Sequence, residues 1–491
     1  MTETVERKDI QGLVASGYDH LDYARFAFLE IIDCEGARNW LAKIANLVTN
    51  AEHPKGDKPK TCLNVALSWI GLEQFGVSNL IQDFPHEFVA GMNRRDANLI
   101  LGDSAASSAE NWDYGGDAGR PLHVLVLLYG QSAEELESLF HTTCGWGALN
   151  HGLEIVTVED SFREHGDSSE PFGFRDTISQ PPVRGLVGRR DQTEYPINTG
   201  EFVLGYENEL GLLARIPSTD NWEDPRGYLH DHPKYPGKRR GFGVNGTYLV
   251  FRKLNQKVDE FWAFIDERSR DSNGAVDRNK SELLAAKMVG RWRSGSPLVL
   301  APETPGPDPR NDFLFMSQDP DGRRCRIGSH IRRANPRDSL DMPPARSIQI
   351  SRRHRIIRRG RKFRMLTKGS TADKYDQGIF FIALNADLRR QFEFIQQLWI
   401  NNPTFNGLDN EKDPIVGDNG NDGEFTIQAN PVNHHIRGLQ RFVTVGGGGY
   451  FFLPGIRALN FLSNYRGGTS TPGRSSRPSR HTGLPIRAFP A

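Results

Sequence analysis

The residues that invite chemistry gather in CRIGSHIRRANPRD, Cys325 to Asp338, where His330 stands among arginines and the run closes on an Asn-Pro-Arg turn. An imidazole can ligate a metal while guanidinium groups around it pair with carboxylates or phosphates. That combination suits an axial ligand to a haem iron, with cations nearby for the propionates. One histidine among fourteen is a weak signal by itself, so the companions matter. Upstream, EPFGFRDTISQP (Glu170 to Pro181) sets the carboxylate of Asp176 after two phenylalanines and before a Gln-Pro turn. Downstream, RRHRIIRRGRKF (Arg352 to Phe363) supplies arginines on a strand-like run.

Together these segments could form a proximal ligand, an acid/base and a charge stabiliser, a fixed guanidinium in a dry cavity being well suited to meet developing negative charge. Arg358 and Arg359 are adjacent on the strand-like run, and consecutive strand residues point to opposite faces, so one of the two can enter a pocket.

These segments resemble the dye-decolorizing peroxidase family, approaching its Gly-x-x-Asp-Gly motif and its proximal Ala-His-Ile-Arg segment. The resemblance continues in order through Asp9–Val14, Asn64–Gly76, Phe202–Gly211, Ala285–Leu298, Leu384–Pro403 and Phe442–Leu462, covering about residue 9 to about 463. It implies a haem peroxidase that oxidises organic donors such as phenols and dyes with hydrogen peroxide, through a ferryl intermediate. It implies one non-covalent haem b per chain, with His330 as proximal ligand, Asp176 as distal acid/base and Arg358 as distal arginine. Arg332 and Arg333 are the candidates for the propionates. Glu393, a charge among Phe392, Phe394 and Ile395, is the candidate acceptor for the second ring N–H of the haem histidine, although helical periodicity equally allows it a solvent face. Three positions depart from the family pattern: Thr177 replaces the motif's second glycine, Arg326 a proline and Ser329 an alanine. Thr177 matters most, because a Cβ beside Asp176 changes what the turn can do, and its hydroxyl is within reach of that carboxylate.

The bulk numbers fit such an enzyme without selecting it. A chain of 491 residues, 37% of them hydrophobic, can fill several cores. Net charge is zero, so no global field draws in nucleic acid or membrane. No run approaches the ~18 apolar residues of a spanning helix, and MTETVERKD lacks the apolar core of a signal peptide; a cytoplasmic location is expected. Cys34, Cys62, Cys144 and Cys325 lie far apart, with neither a Cys-x-x-Cys pair nor a covalent haem motif, so reduced thiols follow. Cys325 reads as a buried structural thiol.

The elements that must position these groups read as α+β. In the first part DIQGLVAS suggests a strand, Leu21–Val48 a long helical stretch, Cys62–Phe75 an apolar helix, and His123–Tyr129 and Leu153–Val158 two strands. Ser132 and Glu135 make a capping box opening a helix toward Cys144. The second part repeats this logic, with strands at Thr247–Leu254, Gly378–Leu384 and Tyr450–Pro454, a helix through Phe264, an amphipathic helix Asp387–Trp399 and a short last helix. With the resemblance, the expectation is two ferredoxin-like halves, each an antiparallel sheet with helices packed on one face, of the dimeric α/β-barrel type. The boundaries are 1–195 for an N-terminal domain carrying Asp176, 196–465 for a haem-binding domain, and 466–491 for a basic, disordered tail. Residues 214–244 read as a long surface loop and 409–424 as an acidic loop whose spacing does not fit a calcium-binding EF-hand.

Two other functions compete. Residues 323–364 carry fifteen Lys or Arg against two acids, a phosphate-binding strip if they lined one surface, although few aromatics accompany them. A haem carrier that kept His330 but lost peroxidase efficiency through Thr177 is the other. The expected partners are peroxide and an organic donor, with no nucleic acid and no membrane; self-association to a homo-oligomer is left open. Bulky donors can surrender electrons at a surface aromatic, and Tyr375 and Trp399 lie near the right segments.

Overall fold

The computed structural model describes residues 4–52, 58–94, 96–149, 151–186, 195–366 and 375–466. The expected disordered tail lies outside these residues apart from Arg466.

Two sets of four strands organise the chain. The first comprises β1 (Tyr23–Ile31), β2 (Thr61–Leu67), β3 (Val124–Gly130) and β4 (Leu153–Phe162), in the spatial order β2-β3-β1-β4. The second comprises β5 (Thr247–Gln256), β6 (Arg361–Leu366), β7 (Tyr375–Asn385) and β8 (Val443–Leu453), in the order β6-β7-β5-β8. All these pairings are antiparallel, and the two orders are the same when strands are counted within each set. The repeated half is therefore present, as expected. The halves join edge to edge where Phe452 of β8 pairs with Leu67 of β2. At the opposite edges Ser161 of β4 donates its hydroxyl to the carbonyl of Lys362 on β6 at 2.7 Å, bringing the ends of the path together as a barrel requires.

Burial on both sheet faces explains the apolar run of β3. Val124, Val126 and Leu128 join a core with Trp40, Leu41, Leu459 and Leu462, on the helices Cys34–Ile44 and Ile456–Asn464. Leu125, Leu127 and Tyr129 turn the other way, into a core with Phe26, Phe28, Phe251 and Phe380 from both halves. Phe251 meets Phe26 and Phe28 edge-on, with centroids 5.4 and 5.1 Å apart, so the second core lies between the halves.

Several elements differ from expectation. The stretch Leu21–Val48 is a strand followed by a helix, and Cys62–Phe75 likewise divides into β2 and the helix Trp69–Gln74. Both strands are buried on two faces, so their apolar residues do not alternate and resemble a buried helix. DIQGLVAS is a single bridge at Gln11 and a 3-10 turn over Gly12–Val14. The segment 214–244 folds as a small sheet, Ser218–Asp220, His230–His232 and Tyr235–Gly241. Arg352–Phe363 begins in the helix Pro344–Arg353 before entering the short strand Ile357–Arg358 and then β6. The Ser132–Glu135 capping box is present. Asp387–Trp399 is helical but wound as π-helix over Arg389–Glu393 and Ile395–Ile400.

A candidate active-site cavity

A cavity of about 310 Å³ opens against β5, β7 and β8 of the second half, and His330, Asp176 and Arg358 all line it. Its apolar wall includes Phe172, Phe174, Ile331, Phe381, Phe392 and Val443, and its cations include Arg175, Arg355 and Arg441.

His330 opens a five-residue helix, His330–Ala334, preceded by Ser329, whose hydroxyl is fixed on the carbonyl of Lys287 at 2.6 Å. Its Nδ1 lies 2.9 Å from Oδ2 of Asp413, a carboxylate with no solvent exposure. A carboxylate only accepts, so Nδ1 carries a proton, and in the neutral ring Nε2 is left with a lone pair. The His330 side chain keeps 31% of its surface exposed although it is deep in the protein; that exposure is to the cavity. Burial opposes charge on both partners, yet the attraction and hydrogen bond between them prevail. The His330 imidazole is held above its ordinary value and the Asp413 carboxyl below its own. Oδ1 of Asp413 also accepts from the backbone N–H groups of Ile415 and Val416, at 2.9 Å each, which fixes the carboxylate.

Asp176 reaches the same cavity from the loop after β4. Phe172 and Phe174 anchor that loop in a core with Phe261, Phe264 and Phe442 of the second half, the Phe172 and Phe261 rings lying 4.6 Å apart. Oδ1 of Asp176 accepts from the Thr177 backbone N–H at 2.6 Å and from Nη1 of Arg358 at 3.2 Å. Arg358 is placed by the strand Ile357–Arg358, which pairs with β7, and by its own N–H, which donates to Oε1 of Gln180 at 3.1 Å. Arg359 turns away and donates to the carbonyls of Leu13 and Val14, as strand alternation requires. Thr177 has φ +67°, the left-handed region that a β-branched residue rarely adopts. Thr177 thus holds a conformation that favours glycine, and its contact to Asp176 comes from its main chain.

Three expected site residues are placed elsewhere. Arg332 and Arg333 are both fully buried and neither lines the cavity. Arg332 donates to the carbonyls of Asp319 and Cys325 at 3.1 and 3.0 Å. Arg333 donates to those of Trp399 and Asn402 at 2.7 and 3.0 Å, and burial pushes its guanidinium down to about 10. Their helix is covered on both sides, so both arginines act as internal braces. Glu393 does point inward, but Oε1 meets Nη2 of Arg94 and the hydroxyl of Tyr450, each at 2.8 Å, so it is not the partner of His330. That partner, Asp413, lies in the stretch taken for an acidic loop. The Asp-Pro-Ile-Val-Gly within it, an apolar pair inside a polar run, is the signal that this loop is anchored in the interior. Trp399 is buried and Tyr375 is 37% exposed. Arg326, Arg332, Arg333, Arg355 and Arg361 are buried, so the basic segment does not line one surface as nucleic-acid binding would require. Among the described residues no helix is long and apolar enough to cross a membrane, and all four cysteines are free thiols.

The cavity suits a flat, apolar, metal-bearing macrocycle with acidic side chains. One neutral nitrogen donor with a fixed tautomer faces it, the walls are apolar, and arginines supply positive charge.

No family model matches the chain. It is 28% identical over 473 residues to a dye-decolorizing peroxidase of Exidia glandulosa, covering 92% of this chain and 86% of that one. It is 29% identical over 504 residues to a protein of Amycolatopsis described as multifunctional dye peroxidase DyP2, covering 94% and 99%. Among solved structures, an ancestral D-type dye decolorizing peroxidase superposes with a TM-score of 0.74 at 28% identity, covering 93% of this chain and 99% of that one.

Proposed function

We propose, from its likeness to the dye-decolorizing peroxidases and from its cavity, that this chain is a haem peroxidase of that family, oxidising organic donors such as phenols and dyes with hydrogen peroxide. The observation that carries this is one cavity lined both by a carboxylate-locked imidazole and by an Asp–Arg pair. Haem b, held without covalent attachment, supplies the two-electron oxidation by peroxide when bound.

His330 would hold the iron through Nε2, with Asp413 fixing the ring's orientation and enriching it as a donor. Arg175, which lines the cavity, takes the place expected of Arg332 and Arg333 as a cation for the carboxylate groups of the macrocycle. Asp176 takes a proton from the proximal oxygen of peroxide and delivers it to the departing one. Arg358 steadies Asp176 and meets the negative charge on the departing oxygen. In this reading residues 1–195 form a unit that lends Asp176 to a haem-binding unit of residues 196–465. The free thiols support a reducing, cytoplasmic setting.

The test is an absorption spectrum of the haem-loaded protein before and after mixing with peroxide, beside His330→Ala and Asp176→Ala. A Soret band lost in the histidine variant, with the peroxide-dependent spectral change slowed ~10²–10⁴-fold in the aspartate variant, is expected. A histidine-dependent Soret band with no response to peroxide in the wild type would leave only the carrier function, and Asp176→Ala at full rate would remove Asp176 from the mechanism.

A further inference from the structure

A second, polar cavity adjoins the first, and the two share Glu170, Asp176, Arg358, Gly360 and Ile379. Two carboxyls thus stand in one partition. Asp176 has a role above; Glu170 has none.

Glu170 is built into the turn that carries Asp176. Its Oε1 accepts from the backbone N–H of Phe174 at 2.8 Å, and its Oε2 from that of Phe172 at 3.0 Å and from Nε2 of Gln256 at 2.6 Å. Its own N–H donates to the Phe174 carbonyl at 2.9 Å. The turn needs this clamp, because Gly173 within it takes φ +95° and an added Cβ would lie 2.7 Å from the Arg293 guanidinium. The surface Glu170 retains faces the two cavities.

We propose that Glu170 is a positioning residue for the peroxide reaction, a second carboxyl that fixes the Phe172–Phe174 turn and through its charge governs the Asp176–Arg358 pair. The proposal rests on the peroxidase function above and deepens it.

Burial pushes the Glu170 carboxyl up to about 7 against the three hydrogen bonds it accepts, and the nearby charge of Asp176 adds to the rise. The other charges around it are largely compensated. Lys362 on β6 is paired with Asp167, and Arg252 on β5 with Asp103. Arg293 packs on Gly173 and is paired with Glu282, leaving Asp176 with Arg358 as the facing pair. Below neutrality Glu170 is therefore uncharged, and Arg358 acts on Asp176 and the departing oxygen alone. Above it, Glu170 is an anion in the same partition. It opposes the negative charge that builds on the departing oxygen, so the reaction slows as pH rises through about 7. A full charge opposing that build-up is worth roughly tenfold in rate.

The experiment is a pH series on the haem-loaded protein with two readouts. The rate of the peroxide-dependent Soret change should fall roughly tenfold through neutrality in the wild type and lose that step in Glu170→Gln. Infrared difference spectra across the same range, without peroxide, should show a protonated-carboxyl band that disappears near neutrality and is missing in Glu170→Gln. In Asp176→Asn that band should persist in the folded protein and titrate at lower pH, because the neighbouring negative charge is gone. This third measurement decides the matter if Glu170→Gln does not fold. A band that does not shift in Asp176→Asn, or a rate step that survives in Glu170→Gln, overturns the proposal. The infrared titration needs no peroxidase activity, so a protein inert to peroxide would refute the assigned function while leaving the coupling of the two carboxyls measurable.

Discussion

Replacing Asp413 by asparagine tests the histidine site at its least redundant contact. The carboxylate uses both oxygens, Oδ2 for Nδ1–H of His330 and Oδ1 for the N–H groups of Ile415 and Val416. An amide has one accepting oxygen. Kept on the two backbone donors, it turns its NH2 toward Nδ1–H, donor against donor, in a place without solvent. His330 then escapes only by moving its proton to Nε2, the nitrogen the metal needs. The lost contact is a charged hydrogen bond worth about 1.5–3 kcal/mol, which agrees with the ~10–100-fold loss of metal affinity typical for such supporting partners. Titration of the haem-free Asp413→Asn protein with haemin, followed at the Soret band, should show that loss. The reduction potential should rise, because a less electron-rich imidazole favours the ferric state less. Affinity and potential both equal to wild type would refute the argument and reduce Asp413 to a cap for the Ile415–Val416 turn.

Thr177→Gly should stabilise the protein by up to about 1 kcal/mol, since relief of left-handed strain (~1–2 kcal/mol) exceeds the backbone entropy glycine loses (~0.5–1 kcal/mol); a drop in the denaturant midpoint would show that Thr177 side-chain packing dominates. Arg332→Ala and Arg333→Ala should each cost about 3 kcal/mol or more in thermal or denaturant unfolding, because buried carbonyls lose their donors. Unchanged stability with selective loss of haem affinity would restore them as propionate partners. Stability should also fall with rising pH on account of Glu170. Its carboxyl is raised from 4.5 to about 7, so its contribution is full below 4.5 and is lost as pH climbs through about 7, a swing of roughly 3 kcal/mol. Glu170→Gln should flatten that part of the denaturation profile, and an equally steep profile would show an ordinary carboxyl.

What the sequence makes legible here is local. His330, Asp176 and Arg358 each sit in a short motif whose chemistry is written within a few residues, and strand alternation separates Arg358 from Arg359. The positions that escape depend on distant chain. Asp413 is far from His330 in sequence and surrounded by polar residues, so composition draws it to the surface. Glu393 is ambiguous on its helix because burial with Arg94 and Tyr450 is decided by segments from both halves. Arg332 and Arg333 mislead for another reason: adjacent residues on a helix ordinarily divide between inside and outside, but this five-residue helix is enclosed, and its backbone neighbours use both guanidinium groups. Likewise β1 and β2 hide within apparent helices because the barrel core takes the face that solvent would otherwise mark with polar residues.

The same enclosure explains why one half carries the site although both share a strand order. In the first half, residues 32–60 connect the first two strands and spend their apolar surface on the helix Cys34–Ile44. In the second, residues 257–360 make the corresponding connection, and they bring the helices Val258–Arg268, Arg278–Val289 and His330–Ala334 with cores of their own. Those cores gather around Phe261, Met288 and Trp292 and meet the sheet at Val443 and Leu254, and beside these contacts a space remains against β5, β7 and β8. The loop after β4 then reaches across to close it, anchored by Phe172 and Phe174 and clamped by Glu170. Asp176 is thus delivered by one half to the cavity that His330 lines from the other. A mutation that loosens either anchor should separate haem binding from peroxide turnover, since His330 and Asp413 both belong to the second half and do not depend on that loop.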